Sequence, residues 1–190
     1  MLMGINAQNR DSTTNALNTI AYAHHEAHEG NRFFVQYSVA DLGAMTTPND
    51  MITLTFTTPD TAKWGHFIFT ATGSSGWLVR LIEAPTGGAA TPTGVLLILN
   101  KNRNSSKKST VSDGTTAGQV SYDATLATGG TTLWNGYIEG STSGITGTGF
   151  SGKRDEIILK QNTQYQLSIF GTDAEAATLY IDWYEHTNKD

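Results

Sequence analysis

Residues 76–106 read GWLVRLIEAPTGGAATPTGVLLILNKNRNSS. A strand-like run is followed by a loop rich in Pro, Gly and Thr, a second strand-like run, and a basic loop rich in Asn and Ser. The second run, Val95 to Leu99, is apolar without a break. That predicts a strand covered on both faces, because the run is too short for a buried helix and is flanked by Gly94 and Asn100. Upstream, Met51–Thr57 (MITLTFT) alternates strictly, with Ile52, Leu54 and Phe56 on one face and Thr53, Thr55 and Thr57 on the other. This is the pattern of a half-buried antiparallel strand. The runs Trp64 to Thr72 and Trp77 to Ala84 are separated by Gly73-Ser74-Ser75-Gly76, which reads as a hairpin turn.

Further runs follow at Leu133 to Glu139, Glu156 to Lys160, Tyr165 to Gly171 and Ala177 to His186. The last places Leu179, Ile181 and Trp183 on one side and Tyr180, Asp182, Tyr184 and His186 on the other. About eight to ten short strands punctuated by turn signals indicate a sandwich or a barrel. No long helical pattern follows any strand, which disfavours a parallel βαβ sheet. The Gly/Ser/Thr stretch from Gly140 to Gly152 is expected to be an exposed, mobile loop.

A chain of 190 residues fits one domain. Residues 1–30 stand apart as an arm or a short helix, with a weak apolar stripe at Ala16, Leu17, Ile20 and Ala21, leaving 31–190 for the β domain. Cysteine is absent, which excludes disulfides, thiolate metal sites and a Cys nucleophile. The formal net charge is -5, and only 15% of residues are charged, against about 25% in an average domain. A surface of Thr, Ser, Asn, Gln and Gly binds through hydrogen bonds and lacks the cation density that nucleic-acid binding needs. Neither an apolar run long enough to span a bilayer nor a secretory signal is legible, so no membrane partner is expected.

Four places resemble the tailed-phage head decoration family, also called capsid-stabilising, cement or head-fibre proteins. They are His28-Glu29-Gly30-Asn31-Arg32-Phe33; Gly65-His66-Phe67-Ile68-Phe69; Leu81-Ile82-Glu83-Ala84-Pro85-Thr86 together with Asn100-Lys101-Asn102-Arg103-Asn104-Ser105; and the pair Leu159 to Ile169 and Leu179 to His186. They span residues 24 to 187 in the family's order. The Gly140–Gly152 loop is richer in Gly and Thr than the family pattern. The resemblance implies an all-β, jelly-roll-like antiparallel β-sandwich with a short N-terminal arm or helix. It also implies a bacteriophage structural protein made in the host cytoplasm and carried on the capsid exterior. Its partners would be the major capsid protein lattice and itself, as a homotrimer, with no catalysis and no cofactor.

Several side chains could carry chemistry independently of that resemblance. His24 and His28 share a helical face, as a two-histidine metal clamp requires. Yet His25-Glu26-Ala27-His28 falls one residue short of the zinc-protease spacing, and only Glu29 or His186 offers itself as a third ligand. The preferred reading is an exposed or interface segment, with no metal. His66, beside Phe67 and Phe69, reads as a hydrogen-bonded structural side chain. No Gly-x-Ser-x-Gly elbow precedes a helix: Gly73–Gly76 and Gly140-Ser141-Thr142-Ser143-Gly144 both miss the spacing. Glu83, Glu139 and Asp182 read as solvated or hydrogen-bonded carboxylates, not an acid–base pair. Trp64, Trp77, Trp134 and Trp183 are assigned to the core. The expected partner-contact residues are His24, His25 and His28 with Lys101, Arg103, Lys107 and Lys108, the basic loop facing solvent or an acidic partner surface. The alternative function is a carbohydrate- or receptor-binding module on the same fold.

Overall fold

The computed structural model describes residues 22–39, 51–73, 77–87, 92–123, 126–138, 156–170 and 176–187. Helix α1 (Tyr22–His28) is followed by strands β1 (Arg32–Val39), β2 (Met51–Thr57), β3 (Lys63–Gly73), β4 (Trp77–Thr86), β5 (Gly94–Leu97), β6 (Leu99–Asn100), β7 (Gln119–Tyr122), β8 (Gly129–Ile138), β9 (Ile157–Ile158), β10 (Gln164–Phe170) and β11 (Ala177–Thr187). They form two packed antiparallel sheets. Sheet I has the order β6-β1-β11-β3-β9 and sheet II the order β5-β7-β2-β10-β4-β8. The fold is the all-β antiparallel sandwich expected from the period-two pattern.

The core is what that pattern predicts. Ile52, Leu54 and Phe56 of β2 face Phe67, Phe69, Leu179, Ile181 and Trp183 of sheet I, all of them buried. Aromatic rings bridge the layers: Phe56 stacks on Phe67 at 5.4 Å between centroids and on Tyr165 at 5.7 Å, and Phe67 stacks on Trp183 at 5.3 Å. Stacked and offset rings of this kind add stabilisation beyond their buried area.

Four expectations are corrected. Gly73–Gly76 does not join a hairpin, since β3 pairs with β11 and β9 while β4 pairs with β10 and β8. Gly and Ser report a chain reversal, not which strand the chain then joins. Val95 to Leu99 is not covered on both faces. It splits at Ile98 into β5 at the edge of sheet II and β6 at the edge of sheet I, with Val95 and Leu97 exposed. The threonine face of β2 is not solvated, because Thr53 and Thr55 are buried where Ala127 lies against sheet II. There Ala127 donates its N–H to Gln166 Oε1 (2.9 Å) and accepts from Arg80 Nη2 (3.0 Å). Of the tryptophans, Trp183 is in the core and Trp134 packs against it, but Trp64 is exposed on the outer face of sheet I. It has the parity of His66, opposite to that of Phe67. The Trp77 side chain, Glu139, the serine strings at 74–76 and 140–144, the Gly140–Gly152 loop and residues 1–21 lie outside the described residues.

Helix α1 ends where Gly30 adopts φ +74°, the left-handed conformation that glycine reaches without strain. Gly30 N–H donates to Ala27 O (3.1 Å) and Asn31 N–H to Glu26 O (2.8 Å). This double bond pattern satisfies the last helical carbonyls and turns the chain directly into β1.

Candidate functional site

The two segments richest in histidine and basic side chains, 24–31 and 100–108, are distant in sequence and joined in space. Asn100 is the tie. Buried at the end of β6, it donates from Nδ2 to Gly30 O (2.8 Å) and Lys107 O (3.0 Å) and accepts from Asn102 N–H (2.9 Å). Asn102 then donates to His28 O (2.9 Å), and Lys107 Nζ to Asn31 Oδ1 (3.1 Å). Asn31 itself donates to the buried Glu26 carboxylate (2.8 Å). An Asn side chain offers both donors and acceptors, so one residue satisfies two backbone groups of the basic loop and one of the turn that ends α1.

Two carboxylates of β11 hold the loop from below. Asp182 receives Arg32 through both Nε (2.9 Å) and Nη2 (2.7 Å), and Lys101 Nζ at 2.5 Å. Lys101 also lies over the rings of Phe34 and Tyr180, at 6.0 and 5.7 Å from their centroids. Lys101 thus shares one carboxylate with Arg32, which fixes where its ammonium sits on the platform. Glu185 is 2% exposed and accepts from Ser109 Oγ, Thr110 N–H, Thr110 Oγ1 and Trp183 Nε1. These are charge-assisted bonds, stronger than neutral ones.

The result is a polar platform at one end of the sandwich with two concavities. The larger, about 500 Å³, is lined by His24, Ala27, His28 and residues 101–104. The second, about 380 Å³, lies between His25, Glu29, Lys63, Lys107 and His186. Arg103, Lys107 and Lys108 are exposed. His24 and His28 approach to 3.2 Å between Nε2 atoms on the exposed face of α1. His186 does not join them. Among the described residues no group of three or more His, Cys, Asp or Glu is placed to hold a metal ion.

His186 lies instead beside His66, Nε2 to Nε2, at 2.7 Å. His66 Nδ1 faces Glu156 Oε2 (3.3 Å), Tyr184 Oη donates to the same oxygen (2.7 Å), and the His66 ring stacks on Tyr184 at 4.6 Å and 13°. Burial pushes His66 below the usual histidine range, His186 adds to that, and Glu156 opposes it. Sequence reasoning treated His66 alone. Its partners come from the β3–β11 register, which sets His66 opposite Tyr184 and Trp64 opposite His186, and from Glu156 just before β9. No short motif carries that information.

Of the three strand carboxylates considered for acid–base work, Glu83 and Asp182 are among the described residues, and each is paired where it stands. Glu83 in sheet II accepts from Lys160 Nζ (2.6 Å) and Tyr165 Oη (3.0 Å), and the Lys160 hydrogen bond holds its carboxyl below the usual range. Asp182 belongs to sheet I, so the two do not share a cleft.

No protein-family model matches the chain, and neither a curated protein nor a solved structure matches it.

Proposed function

We propose that this chain is a structural virion protein that decorates the outer surface of an icosahedral phage head and stabilises it, acting by binding and not by turnover. The observation that carries this reading is the platform itself. A helix and a basic loop about 70 residues apart are locked together by buried Asn100, Asp182 and Glu185 into a preorganised surface. Preorganisation reduces the ordering cost of association. Next to the platform, on the outer face of sheet I, Trp64 (37% exposed), Leu99 (38%) and Ile158 (52%) supply apolar area for burial. Apolar anchors with a polar, hydrogen-bonding rim are the anatomy of a stable protein interface. The proposed partners are the major capsid protein lattice and two further copies of the chain. Strand orders β1-β11-β3-β9 and β2-β10-β4-β8 support reading the sandwich as wound in the jelly-roll manner. A protein that binds the assembled lattice in preference to free shell subunits stabilises the lattice by mass action.

The test is co-sedimentation with purified heads. Arg103→Glu with Lys108→Glu is expected to lower occupancy at least tenfold and leave the melting temperature within about 2 °C, since exposed substitutions cost under about 0.5 kcal/mol. Unchanged occupancy refutes the assignment of this face.

A second reading, carbohydrate or receptor binding, is favoured by one observation. Tyr137 is 65% exposed on the edge strand β8, two residues from the exposed Asn135. Exposed aromatic rings beside amide groups suit sugar faces. Binding on a glycan array that is lost in Tyr137→Ala would establish it, and an array without hits would reject it.

A further inference from the structure

We propose that His66 and His186 form a binding site for a divalent transition-metal ion that favours tetragonal nitrogen coordination, Cu²⁺ or Ni²⁺, with water completing the coordination. Four observations lead to this. The two Nε2 atoms converge to 2.7 Å. Metal–imidazole bonds are about 2.0–2.1 Å, so adjacent ligands at a right angle lie about 2.9 Å apart and tetrahedral ones about 3.3 Å apart. The pair is therefore nearer the square arrangement of Cu²⁺ and Ni²⁺ than the tetrahedron of Zn²⁺. Both outer nitrogens already have acceptors: His66 Nδ1 faces Glu156 Oε2 at 3.3 Å, and His186 Nδ1 faces Thr187 O at 3.1 Å. The 2.7 Å contact is itself a hydrogen bond, so one Nε2 carries a proton that the metal ion displaces to solvent; an acceptor on each far nitrogen then holds the remaining proton on Nδ1 and raises the basicity of Nε2.

The supporting shell is rigid. Tyr184 stacks on His66 and donates to Glu156, so one residue orients both the ligand ring and the carboxylate behind it. Both histidines project from long paired strands, β3 and β11, and not from loops. His186 lines the 380 Å³ concavity, which provides room for solvent ligands. Glu156 is a positioning residue. The site is separate from the exposed His24–His28 pair, whose 3.2 Å spacing fits a wider ligand angle. It does not depend on the head-binding reading.

The chain has five histidines and no cysteine, which permits a clean experiment. In the full-length triple variant His24→Ala, His25→Ala, His28→Ala, only His66 and His186 remain as imidazoles. Cu²⁺ titration by calorimetry, with electron paramagnetic resonance on the same samples, is expected to show one equivalent bound with hyperfine structure from two nitrogens. Adding His186→Ala should abolish that signal. Adding Glu156→Gln should weaken binding about 10–100-fold while keeping the two-nitrogen signature. Circular dichroism melts of each metal-free variant monitor folding, and His186→Gln replaces His186→Ala if the latter unfolds. No Cu²⁺ binding by the triple variant, or binding indifferent to loss of His186, overturns the proposal.

Discussion

Replacing Glu185 with alanine tests the claim that buried carboxylates anchor the basic loop. Four donor groups converge on Glu185: Ser109 Oγ, Thr110 N–H, Thr110 Oγ1 and Trp183 Nε1. Thr110 is only half-buried, so water can reach its groups in the variant. Ser109 and Trp183 are buried, at 4% and 1% exposure, and their donors are left without an acceptor. Each orphaned buried donor costs about 1–3 kcal/mol. Removing the carboxylate also removes its own desolvation penalty, which offsets part of the loss. Two orphaned donors cost about 2–6 kcal/mol together, and the offset leaves a destabilisation of about 3–4 kcal/mol. In a chain of this length that lowers the melting temperature by roughly 6–16 °C. Urea denaturation should show a lower midpoint with an unchanged slope, because the surface exposed on unfolding is the same. Glu185→Gln keeps one acceptor and should lose about half as much. A loss below about 1 kcal/mol for the alanine variant would refute the reasoning, since one orphaned donor alone costs that much.

Three other outcomes are expected. Gly30→Ala drives a Cβ into Ser105 Oγ in a residue at φ +74°, and should cost at least about 1–2 kcal/mol in thermal melts while raising proteolysis of α1. Phe56→Ala, at the centre of the inter-sheet stack, should cost about 3–5 kcal/mol in urea titration. Glu83 titrates below the usual carboxylate range in the folded protein because of Lys160. The unfolded chain therefore binds more protons in the window just below pH 4.5. The resulting stability is fully present above that value and is lost as pH falls through the folded-state pKa. Glu83→Gln should flatten the acid limb of stability against pH, by a small amount because Lys160 is largely exposed.

The strands were legible because β-sandwich strands write their orientation locally. Met51–Thr57 coincides with β2, and the alternation of Leu179, Ile181 and Trp183 correctly gave the inner face of β11. What depends on the partner was not legible. The Gly73–Gly76 reversal looks the same whether the next strand pairs alongside or crosses to the other sheet. Strand β7 was missed, since Gln119–Tyr122 is four residues with two polar side chains. The histidines and cations at 24–28 and 101–108 were singled out, and the structure places them together at one end of the sandwich. The ion pair of Lys101 with Asp182 was not legible, because the two lie 81 positions apart. The His66–His186 pair needed the β3–β11 register, to which residues 66 and 186 contribute equally and neither betrays alone.

Strand β11 lies at the centre of sheet I, bonded to β1 on one side and β3 on the other. Both strands precede β11 in the chain and meet only through it. Until residues 177–187 leave the ribosome, β1 and β3 have bare edges, so the nascent sandwich cannot close one layer at a time. A ribosome stalled before residue 177 should hold a chain that proteases digest, and one with residues 177–187 clear of the exit tunnel should hold a resistant domain.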